Sequence, residues 1–180
     1  MKSKKIVTIS QLIDKVIPRC EKNVNSFVLC HGHYNIVHPG HLRFIQHAKS
    51  LGNKLIVAVF GDEHCYDIDI RKIYPQLVRA QGLSALEFVD YVLILESLTL
   101  VKALEAIKPA VFVMGKDYEL LKSGEEAEAS KYAKSAGIKV VFHSGDIHYA
   151  SSELLHSSQQ DLEQVQKQFN EVSKEFAEAQ

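Results

Sequence analysis

The stretch Phe27-Val28-Leu29-Cys30-His31-Gly32-His33-Tyr34-Asn35-Ile36-Val37-His38-Pro39-Gly40-His41 changes its period partway through. Phe27–Cys30 is a short continuous apolar run of the kind that fills a strand buried on both faces. Pro39 is suited to the first position of a helix, and helical spacing continues from there to Leu51. The same alternation repeats along the chain. Leu55–Phe60, Tyr91–Leu95, Val111–Met114 and Val140–His143 read as further buried strands. Pro75–Phe88, Leu98–Ile107 and Glu125–Ala136 read as helices, the last two closed by Lys108-Pro109 and by Gly137. Parallel neighbours need crossover connections, so the expected fold is α/β, a Rossmann-like doubly wound parallel sheet of about five strands with an extra C-terminal helix. Its ligand site belongs at the carboxyl ends of the strands, near the switch point.

Composition limits the function classes. The chain has 180 residues, 46% of them hydrophobic, and 21 Lys+Arg balance 22 Asp+Glu, which describes a folded soluble domain and not a disordered one. A net charge of -1 without a basic run gives no footprint for nucleic acid. No apolar run approaches the roughly 18 to 20 residues that cross a bilayer, so no membrane contact and a cytoplasmic location are expected. Cys20, Cys30 and Cys65 are widely spaced with no CxxC pair, which predicts reduced thiols and no cysteine-rich zinc module.

The main domain is expected over 1–156, with 1–26 as lead-in. There Ser10 reads as the N-cap of a packing helix from Gln11 to Ile17 that Pro18 ends. In the tail, 157–180, Leu162, Val165, Phe169, Val172 and Phe176 form an amphipathic helical stripe about two heptads long. It could dock on its own domain, form a dimer seam or connect to another domain.

Four of the nine histidines fall between His31 and His41. His38 and His41, three apart across Pro39, project from one side of a helix's opening turn, where free backbone N–H groups already attract phosphate. Two imidazoles there add donors for phosphate oxygens. Gly32, just past the strand, leaves the backbone open to close approach. A zinc site from His31, His33, His38 and His41 is the competing reading, but it leaves Gly32 and Pro39 unexplained.

His38-Pro39-Gly40-His41, preceded by Gly32-His33-Tyr34-Asn35, resembles the HxGH motif of the cytidylyltransferase-like nucleotidyltransferases. Lys5–Thr8, Ala48–Asn53, Leu55–Asp62, Arg79 with Val89–Val92, Pro109, Val113–Tyr118 and Ser151-Ser152 continue the resemblance in order. They are similar to the adenylyltransferase domain of bifunctional heptose-phosphate synthases and to glycerol-3-phosphate cytidylyltransferase. The resemblance implies transfer of a nucleoside monophosphate from ATP or CTP to a sugar or polyol phosphate, with release of pyrophosphate. It implies His38 and His41 as catalytic residues and Cys30, Gly32, His33, Tyr34, Gly115, Asp117, Tyr118, Ser151 and Ser152 as the nucleotide site. Arg71, Lys72 and Arg79 are possible substrate or phosphate contacts. Mg2+ would be carried on the phosphates without a protein cage, and a homodimer is the family tendency.

Four positions depart from the family pattern: Tyr34 replaces Phe, Asn35 replaces Asp, Glu153 stands where Thr is common, and Asp146 lies near the place of an Arg. An anion beside a triphosphate weakens its binding by like-charge repulsion. A catalytically weak nucleotide-binding or assembly module of the same fold is therefore the alternative function.

Overall fold

The computed structural model describes residues 3–20, 27–64 and 74–144. Six parallel strands form one sheet in the order β1-β4-β3-β2-β5-β6. They are β1 (Ile6–Val7), β2 (Phe27–Gly32), β3 (Lys54–Phe60), β4 (Tyr91–Leu95), β5 (Val111–Gly115) and β6 (Lys139–His143). The five strands expected from apolar runs are present. The sixth, Ile6–Val7, is two residues long, too short to register as a run, and pairs at the sheet edge with Val92 and Leu93.

Helices α3 (Pro39–Ser50) and α4 (Gln76–Ser84) cover one face, packing Phe44, Ile45, Ala48, Ala80 and Leu83 on Val28, Cys30, Leu55, Val57 and Val59. Helices α5 (Leu100–Ile107) and α6 (Glu125–Ser135) cover the other, where Leu100, Leu104, Ala129 and Ala133 join Leu29, Ile56, Phe112 and Met114. Alternate residues of each strand feed opposite cores, which is why the strands read as unbroken apolar runs. The chain adds strands outward from β2 through β3 to β4, then returns to place β5 on the other side of β2. The switch point therefore lies between β2 and β5.

The lead-in differs from its sequence reading. Helix α1 (Ile9–Gln11) is capped by Thr8 and not by Ser10: Thr8 Oγ1 accepts from Gln11 N–H at 3.2 Å, and Gln11 Oε1 accepts from Thr8 N–H at 3.0 Å. This reciprocal pair satisfies two otherwise orphaned donors, which a Ser10 cap would leave open. Nor does Pro18 end the helix. A wider turn over Leu12–Val16, with Ile17 N–H reaching Leu12 O, has already broken the usual ladder, and α2 (Ile17–Cys20) carries Pro18 beyond it.

At the amino ends of the strands, Asp90 gathers Lys49 Nζ (2.5 Å), Lys54 Nζ (2.9 Å) and Leu55 N–H (2.8 Å). Burial pushes its carboxyl pKa up, but these donors outweigh that and hold it below the usual range. The Val89–Val92 block of the resemblance therefore includes a structural clamp, at the opposite end of the strands from the switch-point site. No helix among the described residues is long and apolar enough to cross a membrane. The expected C-terminal helix, 157–180, lies outside the described residues.

Candidate functional site

His38 is the N-cap of α3, with extended backbone (φ -119°, ψ 171°). Its Nδ1 accepts from Gly40 N–H at 3.1 Å, so in the neutral ring the proton sits on Nε2. His41 is the reverse case. Its Nδ1 faces Ile36 O at 3.1 Å and must donate, leaving Nε2 unprotonated while the ring is neutral. The two rings stack at 3.9 Å between centroids. Burial, then the neighbouring His38, push the His41 pKa down to about 4, against the opposing pull of the Ile36 carbonyl. His38 is lowered by burial alone. The structure thus brings together two imidazoles and a helix N-terminus, one ring with its Nε2 proton fixed and the other able to acquire one when an anion arrives.

The glycines of this motif are there for packing. A Cβ on Gly40 would lie 2.9 Å from His38 Cε1, so any side chain pushes the imidazole out of its cap. Gly40→Ala should raise helix propensity by up to about 1 kcal/mol while misplacing His38. We expect turnover to fall tenfold or more, with a melting temperature close to that of the parent because the lost His38 cap offsets the propensity gain; unchanged turnover would show that the His38 position does not matter. A Cβ on Gly32 would meet Tyr34 at 3.0 Å. The open backbone expected at Gly32 is thus filled by the Tyr34 ring.

Tyr34 takes a left-handed backbone (φ 50°), uncommon and strained for an aromatic residue. The strain is held by its buried ring, whose hydroxyl donates to His31 O at 3.2 Å and whose edge meets His41 at 5.1 Å. Cys30 is fully buried beside it, and its thiol is pushed up by burial to about 12, so it is no nucleophile. The side chains of Cys30 and Tyr34 therefore support the site from beneath, and what these positions present to a ligand is backbone. Asn35, where the family pattern has Asp, accepts from Tyr74 N–H at 2.7 Å and ties the motif loop to the approach of α4.

Arg79 is placed differently from its sequence reading. Its guanidinium is fully buried and donates to Tyr74 O (2.8 Å), His33 O (2.6 Å), Phe60 O (2.7 Å) and Asp62 Oδ1 (2.7 Å). It is a strut that fixes the carboxyl ends of β2 and β3 against α4, its guanidinium engaged by protein acceptors. Gln76 completes the lock, donating through its N–H to Asp62 Oδ2 at 3.1 Å and accepting from Asp62 N–H at 2.9 Å. Replacing Arg79 by Met should cost about 2–4 kcal/mol, because three carbonyls and a carboxylate lose a buried donor. Chemical denaturation reads this directly, and a loss below about 0.5 kcal/mol would refute the strut.

Across the switch point, Gly115 ends β5 and carries the turn Lys116–Tyr118. The Tyr118 ring covers Gly115, where a Cβ would sit 3.3 Å from it, and Asp117 is exposed. Tyr118 is raised to about 12 by burial, then by Glu126 and Asp117, and stays a neutral phenol. His33 lies tilted against Phe60 at 4.8 Å, and burial, then Arg79 and His64, lower its pKa. Residues distant in the chain bring further histidines together: His47 on α3 stacks on His143 of β6 at 3.9 Å, and His31, one of the four in the zinc reading, lies among the rings of Phe60, Phe112 and Tyr118. Arg71, Lys72, Ser151 and Ser152 lie outside the described residues.

A helix N-terminus that carries two histidines thus stands at the switch point of a parallel α/β sheet. The chain belongs to the cytidylyltransferase-like family, whose model matches residues 29–164. The bifunctional protein HldE of Nitratiruptor sp. is 38% identical over 126 residues, 69% of this chain and 26% of that protein. The bifunctional protein HldE of Campylobacter fetus is 30% identical over 133 residues, 73% of this chain and 27% of that protein. The chain thus spans about a quarter of the length of the curated relatives it matches. Among solved structures, a lipopolysaccharide core biosynthesis protein from Thermoplasma volcanium superposes with a TM-score of 0.56 at 27% identity. That match covers 66% of this chain and 96% of the other.

Proposed function

We propose that this protein transfers a nucleoside monophosphate from ATP or CTP to the phosphate of a sugar or polyol, releasing pyrophosphate. The observation that carries the reading is the pair of fixed tautomers at the start of α3. His38 presents Nε2–H to a phosphate oxygen without needing a charge. His41 presents a bare Nε2, and the approach of a triphosphate raises its proton affinity until it becomes an imidazolium donor. An acceptor phosphate oxygen attacks the α-phosphorus in line, and the bond to pyrophosphate breaks with its electrons going to the leaving group. His38, His41 and the α3 N-terminus neutralise that charge. No protein nucleophile is required.

Imidazoles and backbone N–H groups are donors for phosphate oxygens and poor partners for Mg2+, so the ion fits this site carried on the nucleotide with its waters. When bound it would supply further neutralisation of the phosphate charge. The bifunctional relatives and the lipopolysaccharide core biosynthesis protein support an acceptor of the sugar phosphate kind.

The test is thermal shift with ATP, CTP, GTP and UTP, with and without Mg2+, followed by pyrophosphate release with hexose and heptose 1-phosphates and glycerol 3-phosphate. A magnesium-dependent shift with ATP or CTP and release with one acceptor are expected. Nucleotide binding without release from any acceptor would favour the catalytically weak module; no shift with any nucleotide would overturn both readings.

A further inference from the structure

His31 is only 3% exposed, and neither of its ring nitrogens has a hydrogen-bond partner among the described residues. Buried imidazole nitrogens left without partners cost stability, and a folded protein keeps such a group where something else supplies the bonds. The ring sits at the carboxyl end of β2, edge-on to Phe60 at 5.6 Å, stacked on Phe112 at 5.5 Å and covered by Tyr118 at 5.4 Å. His33 and His64 lie beside the same Phe60, and His64 Nδ1 is likewise buried without a partner among the described residues. All of this is on the α5–α6 face of the sheet, whereas His41 packs on Tyr34 in the α3–α4 core.

We propose that the buried His31 ring, beside Tyr118, binds the hydroxyl groups of the acceptor. The inference rests on the nucleotidyl-transfer reading above. In-line displacement puts the incoming oxygen opposite the leaving group. With pyrophosphate held at His38 and His41 on the α3 side, the body of the acceptor lies across the end of β2, over His31. The chemistry matches as well. A buried neutral imidazole offers one donor and one acceptor, the complement of an alcohol, whereas a phosphate accepts only and favours a charged donor. The described residues contain no group of three or more His, Cys, Asp or Glu placed to hold a metal ion, so His31, His33 and His64 do not converge on one. The half-buried Tyr118 ring, on a short turn after β5, is the wall that moves to admit the hydroxyls.

Two measurements test this. In protein labelled with 15N-histidine, His31 ring signals, assigned by their loss in His31→Phe, should move when glycerol 3-phosphate or a hexose 1-phosphate is added to the nucleotide-bound protein. They should not move with inorganic phosphate. Signals that ignore every acceptor that turns over, or that respond equally to inorganic phosphate or to nucleotide alone, overturn the proposal. In steady-state assays His31→Phe, which keeps the ring packing and removes both nitrogens, should raise the acceptor KM tenfold or more. The nucleotide Kd should stay within twofold and the melting temperature should not fall. An unchanged acceptor KM in a chain that binds nucleotide and turns over would make His31 a core residue only, and would leave the transfer reading intact. Failure of the parent protein to bind any nucleotide would instead sink the transfer reading and this inference with it.

Discussion

His38→Asn is expected to lower nucleotidyl transfer by about 10²- to 10³-fold while leaving the fold as stable as the parent, the loss typical of removing one fixed donor from a developing anion. Asparagine is among the best N-caps, and its Oδ1 can accept from Gly40 N–H as Nδ1 now does, so the helix start survives while the outward Nε2–H is lost. His38→Ala removes both and should add about 1 kcal/mol of destabilisation. Comparing the two separates cap from catalysis. His41→Asn should cost a similar factor in rate, since an amide N–H can replace the contact to Ile36 O but cannot become cationic. Its rate deficit should grow as the pH falls, because only the parent gains an imidazolium under nucleotide. Pyrophosphate release under saturating nucleotide reads all three. Equal rates in parent and His38→Asn would mean that transfer does not pass through this ring.

Much of this fold was legible in the sequence because its strands are buried on both faces. Leu55–Phe60 and Val111–Met114 contain no polar residue to confuse strand with surface, and Pro39, Lys108-Pro109 and Gly137 mark helix ends by their backbone restrictions. Lys108 and Gly137 do take left-handed conformations. Short or locally competed features escaped: Ile6–Val7 has too few residues to show a period, and Thr8 and Ser10 are equally good caps until Gln11 is seen to reach back. The His38–His41 pair was legible because it is local, three residues apart at a helix start. What could not be read was any role fixed by residues distant in sequence. Arg79 looks like a free cation on an amphipathic helix until the ends of β2 and β3 are seen to converge on it, 46 residues from His33 and 19 from Phe60. His31 differs from its neighbour His33 only in what Phe112 and Tyr118 do around it, and both of those lie far down the chain.

Acid should destabilise this protein in a pH range where most domains are still at their most stable. Burial first, then His33, push the His31 pKa down to about 3, and His41 is held at about 4, whereas both titrate near 6.5 in the unfolded chain. His33, His38 and His47 are lowered in the same direction. A histidine lowered on folding binds fewer protons in the native state than in the unfolded one. Its contribution is therefore fully present above about pH 6.5 and is lost progressively as pH falls toward the folded value. For His31 and His41 together the loss between pH 7 and pH 5 is about 4 kcal/mol, a large part of an ordinary domain's stability. Asp90 acts with the same sign but at lower pH, since its depressed carboxyl keeps its contribution until the pH drops below about 3.8. Urea midpoints measured from pH 8 to pH 5 should accordingly be flat above pH 7 and fall steeply below 6.5. His31→Phe should remove about half of the part of the slope that His31 and His41 supply, because its ring carries no proton in either state. A flat profile down to pH 5 would mean that these imidazoles are protonated, and hence solvated or paired, in the folded protein, and it would withdraw the neutral donor-acceptor pair on which the acceptor contact at His31 depends.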